Sequence, residues 1–305
     1  MSGHGELTVL MTVYNGEPYL RTAIESILNQ TYREFRFLIV DDGSTDTSRE
    51  IVRSYEDNRI ELVCTERNVG QTAALNIGLR HATTHWIARM DADDYSAPTR
   101  LEEQMKALKE DGSLSCVGTF CWIFHSDPEI VESTWVHPIH PEDIKRGLLN
   151  GCPMTHGSIV VSREVMLDIG AYDERYKVAA DIELYERLLK RYRAANLPRT
   201  LYGCRIHVGQ QQWSRLSLEE SIEIWTRKPK ENDYTVEEAS MVRRILADYV
   251  VSRVRYLWPE RSCLASLKDL FWVFWLAPMA ITKRSVRALA RLLLSFRVRG
   301  VMRGR

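Results

Sequence analysis

Three aspartates stand within four residues of one another, shortly after an apolar segment. Residues 86–88 are typical of a buried strand, and Asp91, Asp93 and Asp94 follow them. In open parallel sheets, ligands bind beyond the carboxyl ends of the strands. Because alternate residues of an extended chain point the same way, the Asp91 and Asp93 carboxylates share one side. Such a pair suits a hard divalent cation that takes substrate phosphates as further ligands, although an acidic turn or a helix N-cap uses the same residues.

Strands and helices are predicted to alternate through the first 110 residues. A nearly continuous apolar run at residues 7–13 predicts a strand buried on both faces, and further strands are predicted at 35–40, 60–64 and 86–90, with helices after the first, third and fourth. This alternation predicts an α/β fold with a mostly parallel sheet and right-handed crossovers. The polar residues that follow the strands should therefore crowd one rim of the sheet. Neither GxGxxG nor GxxxxGKS/T occurs, which weakens a dinucleotide or P-loop interpretation.

The composition is that of a globular chain without a strong overall charge. Of 305 residues, 45% are hydrophobic and 27% charged, and 41 basic residues balance 41 acidic ones. The balance gives no electrostatic reason to expect nucleic acid as a partner. The six cysteines lack zinc-like spacing and no export signal is predicted, so we expect reduced thiols and a cytoplasmic location.

Four polar motifs follow the predicted strands in a fixed order. They are Thr12-Val13-Tyr14-Asn15, Val40-Asp41-Asp42-Gly43-Ser44-Thr45-Asp46, Arg67-Asn68-Val69-Gly70 and Met90-Asp91-Ala92-Asp93-Asp94. In order and spacing they resemble family 2 glycosyltransferases. The resemblance implies the GT-A fold, a Rossmann-like, mostly parallel sheet flanked by helices, with inversion at the anomeric centre. It also implies a nucleotide-diphosphate sugar donor, expected to be a UDP sugar, and a glycan or lipid-linked acceptor in bacterial-type surface polysaccharide assembly.

The resemblance gives the polar residues expected roles. Asp93 is the implied ligand of Mg²⁺ or Mn²⁺, and Asp91 would bind the ribose or share the metal. His207 is a further candidate ligand that would favour Mn²⁺, or simply a histidine satisfied at a strand end. Asp94 is expected to cap the next helix. The expected donor-binding residues are Thr12, Tyr14, Asn15, Glu17, Asp42, Arg67, Asn68 and Asp91, with Tyr14 offering a flat surface to the base.

A later acidic residue is the candidate general base. Residues 180–188 resemble the family segment Glu-Asp-x-x-Leu-x-x-Arg, with Ala180 in place of the usual Glu and Asp181 retained. Inversion requires a base that takes the proton of the acceptor hydroxyl, and Asp181 would take that role. The alternative is an aspartate that caps a helix. Four ring-bearing residues could line an acceptor cleft or simply pack in the core: Trp122, Phe124, Trp135 and His137.

The expected domain organisation has five parts. A flexible N-terminus (1–6) precedes a nucleotide-sugar-binding half (7–110) and an acceptor-binding, catalytic half (111–215), and a helical region (216–260) leads to a basic amphipathic tail (261–305). Asp269 is the last acidic residue, and eight basic residues follow it. The apolar run at 270–281 would span about 18 Å as a helix, short of a bilayer core of about 30 Å. We therefore expect the tail to bind the anionic cytoplasmic face of a membrane peripherally, or else to pack on the catalytic domain.

Three other classes of protein compete with this interpretation. A sugar-1-phosphate nucleotidyltransferase also combines an α/β sheet with metal-binding carboxylates, but a glycine-rich stretch with Arg and Lys usually follows its first strand, and residues 12–18 lack one. A glycoside hydrolase needs two carboxylates flanking the bond, which would leave Tyr14 and Asp42 unexplained. A non-catalytic homologue that binds nucleotide sugar or glycan would not need Asp91, Asp93 and Asp181 together.

Overall fold

The computed structural model describes residues 6–148, 152–207, 215–227 and 235. Contacts divide the chain into two units. The first comprises Met1–Leu148 and Cys152–Gln210, and the second comprises Leu149–Gly151 and Gln211–Arg305. The first unit contains the sheet, and α8 belongs to the second.

Strands and helices alternate through the first unit as predicted. In the described residues the strands are β1 (Leu7–Val13), β2 (Phe35–Asp41), β3 (Ile60–Cys64), β4 (Trp86–Asp91), β5 (Tyr95–Ser96), β6 (Leu114–Phe124), β7 (Ser133–Trp135), β8 (Val160–Ser162) and β9 (Arg193–Arg205). The helices are α1 (Leu20–Leu28), α2 (Ser48–Arg53), α3 (Gln71–His81), α4 (Arg100–Glu110), α5 (Pro141–Gly147), α6 (Arg163–Asp168), α7 (Ala180–Arg191) and α8 (Arg215–Arg227). A short 3₁₀ turn at His156–Ser158 precedes β8.

The sheet runs in the order β3-β2-β1-β4-β8-β6-β9-β5, and β7 pairs with β6. The pairs β3–β2, β2–β1, β1–β4 and β6–β9 are parallel, whereas β8, β7 and β5 pair antiparallel with their neighbours. The α/β fold and the mostly parallel sheet are confirmed. The four strands that carry the sequence motifs form one continuous parallel half.

Apolar periodicity explains the core of this half. All seven residues of β1 are buried, as expected for a strand covered on both faces. Helix α1 buries residues at helical spacing, namely Leu20, Ala23, Ile24 and Ile27. Strands β2 and β4 each extend one residue beyond the predicted apolar run, to Asp41 and Asp91. The first aspartate of each acidic motif therefore belongs to a strand, which fixes its backbone in the hydrogen-bonded ladder.

Part of the predicted C-terminal organisation lies outside the described residues. Helix α8 falls within the predicted helical region 216–260, and the rest of that region, the tail 261–305 and residues 1–5 are not described. Among the residues that are described, none of the helices combines the length and the apolar character needed to cross a bilayer.

Candidate active site

The carboxyl ends of β2, β1 and β4 are neighbours on one rim. In the ladder, Thr12 pairs with Val40 on one side and with Asp91 on the other, and Val13 pairs with Asp41. The residues predicted from separate motifs therefore converge at this rim. Tyr14, directly after β1, is 49% exposed, which leaves its ring open to a ligand.

Two loops beside Tyr14 are joined by hydrogen bonds. Asn15 adopts a left-handed conformation with a φ of 51°, and its Oδ1 accepts a hydrogen bond from the Thr45 backbone N–H at 2.8 Å. Glu17 donates its backbone N–H to Asp46 and accepts from the Thr47 backbone with its carboxylate. The side chains of Asn15 and Glu17, both predicted to bind the donor, thus hold the loop after β1 against the loop after β2.

The two aspartates at the end of β2 have different partners. Asp41 is buried and forms an ion pair with Arg49. Asp42 accepts the backbone N–H groups of Val69 and Gly70 at 2.8 and 2.9 Å, which ties the β2 loop to the loop before α3. Gly43 lies between these loops with a φ of 74°, and a Cβ there would lie 2.4 Å from the Arg67 carbonyl carbon. Only glycine combines this positive φ with the absence of a side chain that would collide with the neighbouring loop.

The acidic turn, residues 91–94 at the end of β4, presents two partly exposed carboxylates, those of Asp91 and Asp93. Asp91 Oδ1 accepts hydrogen bonds from Arg89 Nη2 at 2.6 Å and Gln71 Nε2 at 3.3 Å. Asp93 Oδ2 lies 3.0 Å from His207 Nε2. Burial raises the pKa of Asp93, and the neighbouring Asp91 carboxylate raises it further. The contact joins residues 114 positions apart, and the role of both side chains as metal ligands stays a prediction.

Asp94 does not cap the next helix, contrary to the expectation. The N-cap position of α4 is Thr99, and Asp94 is buried. Its two oxygens accept the Tyr202 hydroxyl and the Arg205 backbone N–H, each at 2.8 Å. The Tyr202 hydroxyl also accepts the Asp91 backbone N–H at 3.2 Å. Asp94 therefore fastens the acidic turn to β9, and β9 leads directly to His207.

Two buried arginines lie beneath the acidic turn, and sequence reasoning missed both. Arg89 binds Asp91, and Arg100 donates to Ser96 Oγ at 2.7 Å and to the Arg89 carbonyl at 3.2 Å. The Arg100 guanidinium also lies over the Tyr202 ring. Burial lowers the pKa of Arg100 to about 10, so it stays charged at neutral pH. Arg89 therefore offsets the charge of the Asp91 carboxylate, and Arg100 binds the backbone around it.

Asp181 lies in the first turn of α7, one residue inside the helix. The N-cap is Ala179, so Asp181 does not hold the alternative capping position. Its Oδ1 accepts the Ile182 backbone N–H at 2.8 Å, and its Oδ2 accepts from Cys152 Sγ at 3.4 Å. Burial raises the pKa of Asp181, and the Asp91 carboxylate raises it further. Asp181 is therefore harder to ionise than an exposed aspartate.

The donor set around Asp93 fits a divalent cation. Carboxylate oxygens suit Mg²⁺, and an imidazole nitrogen beside them favours Mn²⁺. Asp93 and His207 are each partly exposed, so an ion could reach both. Within the part of the chain that the structure describes, no group of three or more His, Cys, Asp or Glu side chains forms a metal cluster. Bound substrate phosphates would have to complete the coordination, as they commonly do for Mg²⁺.

The four candidate acceptor-cleft residues divide into two groups. Trp122 is 8% exposed with its indole N–H bonded to the Pro128 carbonyl, and Phe124 is buried beneath Arg205. Both pack in the core, as the alternative interpretation expected. Trp135 is 39% exposed, and His137 Nε2 lies 2.8 Å from Thr155 Oγ1. These two residues remain available to a ligand.

The fold and this rim define an enzyme of the glycosyltransferase type. Residues 8–170 match the family model described as Glycosyl transferase family 2. The chain belongs to that family.

Curated relatives agree with this assignment. The chain is 34% identical over 212 residues to the putative glycosyltransferase EpsE of Bacillus subtilis, covering 67% of this chain and 74% of EpsE. It is 31% identical over 222 residues to the O-antigen biosynthesis glycosyltransferase WbnJ of Escherichia coli, covering 70% of this chain and 85% of WbnJ. For some other curated relatives, the matched share of their own length is two thirds or less.

Solved structures share the fold at low sequence identity. Residues 1–349 of S. aureus TarS with UDP superpose with a TM-score of 0.69 at 19% identity, covering 93% of this chain and 87% of that one. The mannosyltransferase PcManGT from Pyrobaculum calidifontis, with GDP-Man and Mn²⁺, gives a TM-score of 0.59 at 19% identity, covering 94% of this chain and 83% of that one. These likenesses confirm the predicted GT-A fold.

Proposed function

We propose that the protein is an inverting glycosyltransferase that uses a nucleotide-diphosphate sugar, specifically a UDP sugar. It would transfer the sugar to a hydroxyl of a glycan or lipid-linked acceptor in surface polysaccharide assembly. The observation that carries this proposal is the convergence of the ends of β1, β2 and β4 at one rim, with a short segment that contacts Asp181 through Cys152 and Asp91 through Gly157. Support for the biological role comes from the names of EpsE and WbnJ. The ligands of TarS and PcManGT support a nucleotide-sugar donor, and the UDP of TarS supports the choice of uridine.

The donor would lie across the ends of β1, β2 and β4. Tyr14 offers an exposed ring for the base, and the exposed Arg67 and Asn68 flank it from the loop that Asp42 holds. Thr12 and Asp91 lie side by side in the ladder, where they would contact the ribose and phosphates. Asn15 and Glu17 contribute by fixing the loop that carries Tyr14.

A divalent cation would bind Asp93, with Asp91 and His207 as further ligands. When bound, Mg²⁺ or Mn²⁺ would neutralise the charge that builds on the leaving diphosphate. Neighbouring residues fix the groups that would bind the cation. Tyr202 and Arg205 fix the acidic turn by hydrogen bonds, and the buried Arg89 orients the Asp91 carboxylate.

Asp181 would act as the base. The acceptor oxygen forms a bond to the anomeric carbon while the bond from that carbon to the diphosphate oxygen breaks. The acceptor proton passes to an Asp181 oxygen, and the electron pair leaves with the nucleotide diphosphate. Because the attack comes opposite the leaving group, the anomeric configuration inverts.

A panel of nucleotide sugars tests the donor assignment. Thermal unfolding of the full chain is measured with UDP, GDP and other nucleotide sugars, each with Mn²⁺ and with chelator. We expect the melting temperature to rise only with UDP sugars and more strongly with Mn²⁺, because a ligand that binds the native state stabilises it. A rise confined to a GDP sugar would refute uridine as the nucleobase of the donor, but the protein would still be a nucleotide-sugar-dependent glycosyltransferase.

Turnover assays separate the competing functions. A nucleotidyltransferase would convert a nucleoside triphosphate and a sugar 1-phosphate into a nucleotide sugar and pyrophosphate. A non-catalytic homologue would show the thermal shift without releasing UDP. We expect neither behaviour, and release of UDP that depends on an added acceptor would support transfer.

We also propose peripheral attachment of the tail to an anionic membrane. The supporting observation is the sequence of residues 261–305, where basic residues alternate with apolar ones and no acid follows Asp269. Each basic residue near anionic lipid contributes about 1 kcal/mol. In liposome flotation, the full chain should bind anionic vesicles and lose binding in high salt, and truncation after Glu260 should abolish it. Equal flotation of both proteins would end the proposal.

A further inference from the structure

The topology separates a donor side of the rim from an opposite side. The donor loops follow β1, β2 and β3, which lie on one side of β4, while β8, β6 and β9 lie on the other. An acceptor that attacks opposite the leaving diphosphate must approach from the side away from those donor loops. The acceptor surface should therefore lie beside β8 and β6.

Strand β7 occupies that position at the level of the acidic turn. Strand β9 pairs with one edge of β6 along its length, so β8 and β7 share the other edge. Strand β8 pairs near Cys116 and Val117, and β7 pairs further along β6, at Cys121–Ile123. Strand β8 lies between β4 and β6, and its residue Val160 pairs with both Ala88 and Val117. Strand β7 therefore lies beyond β8, close to the level at which β4 ends in Asp91.

The segment from Cys152 to Gly157 connects β7 to the candidate catalytic carboxylates. At one end, Cys152 donates to Asp181. At the other end, a Cβ on Gly157 would lie 2.6 Å from Asp91 Oδ2, so the backbone packs against that carboxylate. In the middle, Thr155 Oγ1 lies 2.8 Å from His137 Nε2 and 3.3 Å from Cys121 Sγ.

Trp135 stands on the same face as this segment. It pairs directly with Cys121, and residues opposite each other in an antiparallel pair project to the same face. Cys121 uses that face to contact Thr155. Trp135 is 39% exposed, so the protein supports the indole while leaving part of it open to solvent. A supported, flat apolar ring suits the C–H face of a sugar, and polar side chains beside it suit the hydroxyls.

We infer that Trp135, with the His137–Thr155 pair, forms a subsite for a pyranose ring of the acceptor. The indole packs against one face of the sugar, and the imidazole and hydroxyl bind its ring hydroxyls. The acceptor is accordingly a saccharide at this position, whether or not its far end is a lipid. This inference rests on the proposed function, since it assigns the second substrate of the same site.

Saturation-transfer NMR with methyl glycosides tests the subsite. Methyl glucoside, galactoside, mannoside and their N-acetylamino analogues are added to the full chain with UDP and Mn²⁺. Methyl aglycones are used because an aromatic aglycone could itself stack on the indole. We expect ring C–H signals from at least one glycoside with the wild type. Trp135→Ala should weaken that binding about tenfold, and Trp135→Phe should restore most of it.

The neighbouring Val136 supplies the matched control. It lies directly after β7, is 70% exposed and is not part of the proposed subsite, so Val136→Ala should bind the glycoside as the wild type does. The inference is overturned if no glycoside binds the wild type, if Trp135→Ala binds equally well, or if Val136→Ala loses as much. UDP-sugar thermal shifts of the same variants keep the two proposals apart. If the wild type binds no nucleotide sugar, the proposed function is refuted. If the donor binds normally but glycoside binding does not depend on Trp135, only the subsite is refuted.

Discussion

Replacing Asp181 by Asn is expected to reduce sugar transfer by about 10²- to 10⁴-fold, the usual contribution of a positioned base. The amide is nearly the same size as the carboxylate but cannot accept the acceptor proton. Its oxygen can still accept the Ile182 N–H, so the start of α7 should stay folded. Initial rates of UDP release with acceptor measure the effect, and calorimetric titration with the donor should give wild-type affinity.

The pH profile gives an independent test of the same residue. Because burial raises the pKa of Asp181, its basic form is lost at a higher pH than that of an exposed aspartate. The wild-type kcat/KM should therefore fall on the acid side, at a pH above the ordinary aspartate value of about 3.9. Asp168→Asn, on the exposed end of α6, serves as the control and should leave both rate and profile unchanged. An Asp181→Asn enzyme that kept most of its turnover would place the base elsewhere.

Replacing Asp93 by Ala is expected to abolish the effect of metal on nucleotide affinity and to cost about a hundredfold or more in turnover. The side chain is partly exposed and contacts His207, so little packing is lost. Donor titrations with Mn²⁺, with Mg²⁺ and with chelator measure the first effect, and steady-state rates measure the second. The fold should survive, with a far-ultraviolet spectrum like that of the wild type.

Asp143 provides the control for the loss of one negative charge. It lies exposed on α5 and pairs with Arg146, so Asp143→Ala should keep full activity and full metal dependence. Wild-type activity that persists undiminished in excess chelator would refute the proposed role of the cation at Asp93. The Asp91 and His207 assignments would fall with it.

The parallel half of the sheet was predictable because its strands β1, β2 and β4 are largely buried. Continuous apolar runs mark such strands without any tertiary information, and the polar residue that ends each run marks the rim. The apolar runs predict only that the polar residues after the strands lie together. The family resemblance then gave those residues their expected roles. The placement of His207 beside Asp93 needed that resemblance too, since nothing local links residues so far apart.

The supporting residues were not predictable in the same way. Asp94 resembled a helix cap, and only the β5–β9 pairing shows that Tyr202 and Arg205 take its oxygens. Burial of Arg100 depends on backbone carbonyls contributed by β4 and the His156–Ser158 turn, which no local pattern predicts. Trp122 and Trp135 have the same residue type, but Trp122 lies in β6, which β9 and β7 flank, whereas Trp135 lies in the short strand β7, whose three residues are all exposed.

The separation of contacting residues also orders the assembly of the site. The donor loops are joined by hydrogen bonds between residues 27 to 30 positions apart, as from Asp42 to Val69 and from Asn15 to Thr45. The Tyr202–Asp94 and His207–Asp93 contacts span 108 and 114 positions. Closing so long a loop costs more chain entropy and slows the step that forms it. The Asp93–His207 pair therefore belongs to the most non-local stage of folding, and its presence reports a fully folded chain.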